Sequence, residues 1–254
     1  MRVLLLGGTA EARALADRLH PDIDIISSLA GRVPNPALPV GPVRIGGFGG
    51  VEGLRTWLTE NGVTAVVDAT HPFAATMTAR AAAVCAEVDM PYVVLNRPAW
   101  DPAGATVVAT DTEAAAIVAA KGYSWVFLTT GRSGVAAFAD SDAWFLIRVV
   151  TAPDLAALPP NHELVLSRGP YHYEDECELL RSRGIEVLVT KNSGGGLTEA
   201  KLDAARNLDV DVIMIDRPAL PTGVQVVTSV EQAVAWLAVL TAHTDPAGTT
   251  HSTD

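Results

Sequence analysis

Positive charge is scarce in this chain: 18 Lys and Arg stand against 29 Asp and Glu, a formal net charge of −11 over 254 residues. A phosphate backbone needs a basic footprint, so nucleic acid is excluded as a general partner. Any cluster of basic residues inside so acidic a protein would instead focus an anionic small molecule. Cysteine is nearly absent. Cys85 and Cys177 are the whole supply, and both fall in helical stretches, which argues for free thiols in a reducing compartment rather than a disulfide frame or a metal site. Long apolar runs are missing as well, none reaching the roughly 20 residues that span a bilayer. Met1-Arg-Val-Leu-Leu-Leu passes straight into Gly7-Gly8 without a cleavage site, so it reads as a buried first strand and the protein as cytoplasmic. No metal is expected: His20, His162 and His172 lack ligand spacing, and the acidic run Glu174-Asp-Glu-x-Glu178 suits the start of a helix.

What is present is a globular composition, 49% hydrophobic and 19% charged, and a repeat. Tyr92-Val-Val-Leu-Asn-Arg97-Pro98 is followed by Thr110-x-x-Glu113; Val212-Ile-Met-Ile-Asp-Arg217-Pro218 is followed by Thr228-x-x-Glu231. Each copy reads as an apolar strand, an Arg-Pro stop, a short strand and a helix opened by a capping box. Two similar α/β domains in tandem, enclosing a cleft, are expected.

Strands and helices alternate throughout. Strands are expected at 3–6, 23–27, 43–45, 65–68, 92–95 and 106–108, and helices at 10–19, 51–61, 72–88 and 111–121. The second half continues with strands at 125–129, 144–149, 164–166, 186–190, 212–215 and 225–227, and helices at 134–139, 153–158, 173–182, 198–208 and 230–240. Short, uniformly apolar strands suit parallel sheets buried on both faces. The fold class is therefore two Rossmann-like, doubly wound domains. Lys121-Gly122-Tyr123 is the least periodic point, which sets the domains at 1–122 and 123–240, with 241–254 a disordered tail. The helix closing each domain has no assigned lobe.

The motifs lie at strand ends. Leu6-Gly7-Gly8-Thr9-Ala10-Glu11-Ala12 joins a strand to a helix start, where backbone N–H groups and the dipole favour a phosphate. It departs from G-x-G-x-x-G and serves equally well as a plain tight turn. The second strand ends in Ser27-Ser28, with Arg32 beyond, where an NAD site has an acid. Hydroxyls and a guanidinium suit a 2′-phosphate, favouring NADPH, although Arg32 also fits as a solvated loop charge. Gly46-Gly-Phe-Gly49-Gly50 allows close approach to a planar or phosphorylated ligand, or is a surface loop. Asp68-Ala-Thr70-His71-Pro72 ends a strand and opens a helix, with His71 expected as the N-cap.

In the second half, four segments follow strands: Thr129-Thr-Gly-Arg132, Ser167-Arg168-Gly-Pro-Tyr171, Lys191-Asn-Ser193-Gly194-Gly and Asp216-Arg217-Pro218. Any single cation suits a surface ion pair. Together Arg132, Arg168, Lys191 and Arg217 suggest a mouth for a ligand bearing several carboxylates or phosphates.

With Gly7-Gly-Thr-x-Glu11-Ala12, Ser28-Leu-Ala-Gly-Arg32, Gly46–Gly50, Asp68-Ala-Thr-His-Pro-Phe73, Arg97-Pro-x-Trp100, Thr129–Arg132, Arg168-Gly-Pro170, Lys191–Gly195 and Arg217-Pro218 in this order and spacing, the chain resembles the precorrin-6A reductases of cobalamin biosynthesis over nearly its whole length. The resemblance implies an NADPH-dependent enzyme that saturates one double bond of precorrin-6A to give precorrin-6B. Gly7, Gly8, Thr9, Glu11, Ala12, Ser28, Arg32, Gly49 and Thr70 would then hold NADPH. Arg132, Arg168, Lys191, Ser193, Gly194 and Arg217 would hold a polycarboxylate corrin precursor. Hydride transfer would occur near Asp68 and His71, with His71 or Tyr171 orienting substrate or relaying a proton.

Two other readings share the scaffold. A different NADP-dependent oxidoreductase is one, but the Tyr-x-x-x-Lys pair of short-chain dehydrogenases is missing, since Asp175 and Cys177 stand four residues after Tyr171 and Tyr173. A cytosolic two-lobed small-molecule sensor is the other. Oligomeric state, and whether the substrate carries cobalt, are not encoded in any visible motif.

Overall fold

The computed structural model describes residues 1–31 and 36–244. The chain divides into two compact units, Met1–Arg97 with Ala219–Asp254, and Pro98–Pro218. Unit 1 contains β1 (Arg2–Leu6), α1 (Ala10–Leu19), β2 (Asp24–Leu29), β3 (Val43–Ile45), α2 (Val51–Glu60), β4 (Ala65–Asp68), α3 (Ala75–Glu87) and β5 (Tyr92–Leu95). Unit 2 contains β6 (Thr106–Val108), α4 (Asp111–Lys121), β7 (Trp125–Thr129), β8 (Trp144–Val149), β9 (His162–Leu166), α5 (Tyr173–Ser182), β10 (Val187–Lys191), α6 (Ala200–Asn207) and β11 (Asp211–Ile215). The chain then returns to unit 1 for β12 (Gln225–Val227) and α7 (Val230–Thr244).

Both sheets are six-stranded and parallel, in the orders β12-β5-β4-β1-β2-β3 and β6-β11-β10-β7-β8-β9. The α/β, doubly wound class expected from the alternation is present in each unit. Alternate residues of a strand face opposite sides, and β1 shows the consequence. Val3 and Leu5 pack with Leu15 and Leu19 of α1 and Ala233 and Leu237 of α7. Leu4 and Leu6 pack with Leu54 and Leu58 of α2 and Val84 and Cys85 of α3. In unit 2, Phe127, Leu146, Leu188 and Met214 meet Cys177 and Leu180 of α5 and Leu202 of α6. Both cysteines are free and buried.

The expected boundary at residue 122 is displaced. Gly122 takes φ 71° and closes α4, its N–H donating to Val118 and Ala119; a glycine in the left-handed region is a common helix terminator. The aperiodic stretch is thus a helix cap within unit 2. The crossings lie instead at Arg97/Pro98 and Pro218/Ala219. The short strand and helix of each repeat copy therefore belong to the other unit: β6 pairs with β11, and β12 with β5.

Several local expectations also shift. The helix expected from Pro72 starts at Ala75, with Ala74 at its cap position, so His71 is not the N-cap. The segments at 134–139 and 153–158 form 3-10 turns over Val135–Phe138 and Leu155–Ala157. Thr110 caps α4 as expected, accepting from the Glu113 N–H, but Glu113 reaches one residue past the cap and accepts from the Ala109 N–H, so the box is not closed on Thr110 itself. Its counterpart is one residue on: Ser229 accepts from the Gln232 N–H, and Gln232 from the Thr228 N–H. A second hydroxyl beside Thr228 made the register ambiguous in sequence. Helix α7 runs through Thr244, so the tail begins later than expected, and residues 245–254 lie outside the described residues. No helix among the described residues is long and apolar enough to cross a membrane.

Candidate active site

In an open parallel sheet, ligands bind at the carboxyl ends of the strands, where the order reverses. In unit 1 that point lies between β1 and β4. Gly7 donates its N–H to Ser28 at 2.9 Å, drawing the end of β2 beside the turn. Gly8 is exposed, and no heavy atom lies within 4 Å of where a Cβ would stand. Thr9 caps α1: its hydroxyl accepts from the Ala12 N–H at 3.1 Å and donates to the Ala69 carbonyl at 2.8 Å, joining β1 to β4. The amides of Ala10 and Glu11, in the first turn, have no i−4 carbonyl to meet. An open turn, a helix start and unengaged amides are what a pyrophosphate requires. Glu11 accepts from Arg97 at 2.7 Å, so its charge is balanced.

The end of β2 carries Ser27 and Ser28, both buried, and no carboxylate. Ser28 accepts from Arg44, a residue of β3 that the sequence reading passed over. Arg32 lies outside the described residues. The Gly46–Gly50 loop leads into α2, and Gly49 is exposed.

Asp68, 1% exposed, ends β4. Its carboxylate accepts from the Thr70 hydroxyl (2.6 Å), the Thr70 N–H (3.0 Å) and the Tyr92 hydroxyl (3.0 Å). It thus fixes the turn that presents Thr70 and His71. Burial, and then the Asp68 charge, push the Tyr92 phenol well above its ordinary value and the Cys85 thiol up to about 12. His71 is exposed; its Nδ1 accepts from the Phe73 N–H at 3.3 Å, which puts the proton of the neutral ring on Nε2. Tyr92 was invisible as a functional residue in sequence because nothing there pairs it with Asp68.

In unit 2 the equivalent reversal lies between β7 and β10. Arg132, Arg168 and Arg217 follow β7, β9 and β11, and Lys191 is the last residue of β10, so the four cations lie on one sheet edge as expected. Their engagements differ. Arg132 and Arg168 are exposed. Lys191 pairs with Asp111 at 3.4 Å. Arg217 donates from Nε to the Asn192 carbonyl (2.8 Å) and from Nη2 to those of Ser193 (3.1 Å) and Pro98 (3.2 Å). Gly194, at φ 65°, packs so tightly on Pro98 and Arg217 that a Cβ would collide with both. Asn192 is buried and exchanges two hydrogen bonds with the backbone of Trp100.

Beneath the Arg168–Tyr171 loop sits a charged pair absent from the sequence reading. Arg148 and Glu176, 7% and 2% exposed in their side chains, form a two-pronged ion pair. The Arg148 guanidinium lies 3.7 Å from the Tyr171 ring centroid and 4.7 Å from that of Phe127. Tyr171 is further held by its N–H donating to Leu197, and its hydroxyl has no partner among the described residues. Lys201, also buried, donates to the Thr198 carbonyl at 2.6 Å and lies over Trp100. Burial holds its amine down, to about 7. Arg148, inside the apolar run Trp144–Val149, is the one member with a signal in sequence, whereas Glu176 is hidden in the acidic run at 174–178. No group of three potential metal ligands occurs among the described residues.

Residues 2–238 match the family model described as precorrin-6x reductase CbiJ/CobK. The chain belongs to the precorrin-6x reductase family. It is 69% identical over 239 residues to a precorrin-6A reductase of Mycobacterium tuberculosis (strain ATCC 25618 / H37Rv), covering 94% of this chain and 98% of that one. Identity to the precorrin-6A reductase of Rhodococcus erythropolis is 52% over 249 residues, with 94% and 98% covered. A solved structure described as CobK precorrin-6A reductase superposes with a TM-score of 0.86 at 40% identity, covering 94% of this chain and 96% of that one. Family membership makes the chain an oxidoreductase acting on a CH–CH group.

Proposed function

We propose that the chain reduces precorrin-6A to precorrin-6B with NADPH, as a step of cobalamin synthesis, and that its natural substrate is metal-free. The precorrin-6A names carried by relatives at 52–69% identity support the substrate. The cofactor reading rests on the end of β2, where buried serines and a nearby guanidinium stand in place of the carboxylate that grips the ribose of NAD. NADPH supplies a hydride to one double bond of the macrocycle.

The chain's own task is to hold two ligands and exclude water. In this reading Gly7, Gly8, Thr9 and the first amides of α1 seat the pyrophosphate, and Ser28 and Arg32 belong to the ribose end. Gly49 and Thr70 line the same edge. Asp68 fixes the Thr70–His71 turn, so its role is positioning. His71, with its proton at Nε2, and Tyr171, with its unengaged hydroxyl, are the groups able to orient substrate or hand over a proton. Arg132, Arg168 and Lys191 receive acetate and propionate groups, with Ser193 and Gly194 contributing backbone and hydroxyl contacts. Arg217 acts on the substrate through the loop it holds.

Titration of the purified protein with NADPH and NADH, followed by an absorbance assay with metal-free precorrin-6A, tests this. Tighter NADPH binding and NADPH-dependent bleaching of the substrate chromophore are expected. Equal affinity for the two nucleotides, or no spectral change with NADPH, would overturn it.

A further inference from the structure

Arg44 sits in the middle of β3 and reaches across to the end of β2. Nη1 donates to the Ser28 hydroxyl at 3.0 Å and to the Gly46 carbonyl at 2.9 Å, and Nη2 to the Gly47 carbonyl at 3.0 Å. Its guanidinium carbon lies 3.8 Å from the Phe48 ring centroid and 5.5 Å from that of Trp57, the two rings meeting edge to face. The plane is therefore fixed by neutral oxygens and an aromatic face.

Charge compensation is what this arrangement lacks. Arg2, Arg55, Arg97, Arg148, Arg183 and Arg206 each meet a carboxylate. Arg44, half-buried, meets none among the described residues, and burial alone acts on its pKa, lowering it. A guanidinium has five N–H donors. Three are engaged, leaving Nε–H and one Nη2–H, the pairing that suits bidentate contact with a phosphate or carboxylate. The Ser28 hydroxyl accepts from Arg44 and keeps its own proton to donate, as no acceptor for it is present among the described residues. A half-buried cation without a carboxylate partner, a hydroxyl proton and neutral surroundings converge at the carboxyl ends of β2 and β3.

We propose that Arg44 and Ser28 form the seat of a phosphate monoester, the 2′-phosphate of the adenosine half of the nucleotide. This rests on the NADPH reading and deepens it: β3, rather than only the segment following β2, supplies the cation that separates a phosphorylated ribose from a free diol. Phe48 and Trp57 hold the guanidinium plane, which explains an aromatic set among four glycines. The free ribose of a nucleotide without the 2′-phosphate leaves this cation uncompensated, so the discrimination comes from charge rather than shape.

The test is calorimetric titration of the full-length protein with adenosine 2′,5′-bisphosphate and with adenosine 5′-monophosphate, so that only the 2′-phosphate differs and no turnover is needed. The wild-type protein should prefer the bisphosphate by tenfold or more. Arg44→Gln should reduce that preference to within about threefold while leaving the monophosphate affinity within twofold, and Arg44→Lys should retain part of it. Preference retained in Arg44→Gln but lost in Arg32→Gln overturns the assignment and gives the phosphate to Arg32. Equal loss of both ligands in Arg44→Gln, with Arg44→Lys no better, overturns it in favour of a brace for the glycine loop. A wild-type protein without preference removes the NADPH reading itself, and this seat with it.

Discussion

Arg217 and Pro98 are 119 residues apart in the chain and in hydrogen-bond contact, Nη2 donating to the Pro98 carbonyl at 3.2 Å. Pro98 begins unit 2 and Pro218 ends it. The arginine of the second repeat copy thus clamps the proline of the first and ties together the two chain ends of the unit. Its other bonds, to the carbonyls of Asn192 and Ser193, extend the clamp to the loop after β10. Arg97, its counterpart in the first copy, has a different partner, Glu11 at the start of α1. The repeat therefore marks the crossings between units, with each arginine anchoring its own side.

The clamp predicts a stability effect. Arg217→Met leaves the carbonyls of Pro98, Asn192 and Ser193 without their donor, and hydrogen bonds to charged groups contribute about 1.5–3 kcal/mol each before relaxation. A loss of about 2–3 kcal/mol is expected in urea denaturation followed by tryptophan fluorescence, to which Trp100, Trp125 and Trp144 of unit 2 report. Arg217→Lys should recover less than half, since an ammonium cannot reproduce the fork. Unchanged stability with only a raised KM would make Arg217 a substrate contact and nothing more.

Much of this was legible in the sequence, for reasons that differ by residue. Gly7-Gly8-Thr9 announced a strand, a turn and a capped helix because each step depends on neighbours a few positions away, and Thr9 caps α1 as that pattern requires. The exchange of β6 and β12 was not legible. A three-residue strand such as Thr106–Val108 pairs equally well in outline with β5 or β11, and only tertiary packing decides. Lys121-Gly-Tyr123 looked like a linker because a glycine cap and a linker share the same loss of period. Arg44 carries no such local signal, because it lies inside the short strand β3 rather than in the loop that follows a strand. Arg148 and Glu176 are hidden as a pair, being 28 positions apart with no local pattern joining them.

That buried pair carries its own prediction. Removing one partner strands a charge in the core, at a cost of about 3–5 kcal/mol, whereas replacing both by apolar residues is often neutral or better. Glu176→Leu should therefore be strongly destabilising, and the double variant Arg148→Met, Glu176→Leu should regain most of the loss in denaturant midpoint. Because Arg148 also backs the Tyr171 ring, the double variant should fold well yet show a raised KM for precorrin-6A, separating the structural role from the positioning one. Additive single losses in the double variant would show that the two side chains do not act as a pair.

Lys201 gives a pH dependence whose sign can be worked out. Its amine is buried under Trp100 and bonded to Thr198, with Arg148 adding repulsion and Glu176 and Glu199 opposing it; burial, the largest effect, lowers its pKa to about 7 from an ordinary 10.5. Below about pH 7 both folded and unfolded chains hold the proton, and the burial penalty is present in full. Between 7 and 10.5 the unfolded chain holds a proton that the folded chain has released, so stability rises with pH. Cys85, Tyr92 and Tyr123 are raised in the folded chain, and their opposing effect begins only where unfolded thiols and phenols ionise, above roughly pH 8.5. The interval from 7 to 8.5 therefore isolates Lys201. Wild-type stability relative to Lys201→Met, a near-isosteric change, should climb there with a slope of about 1 kcal/mol per pH unit. A difference that stays flat across that interval would mean the amine remains charged in the folded chain, held by Glu176 and Glu199 against its burial.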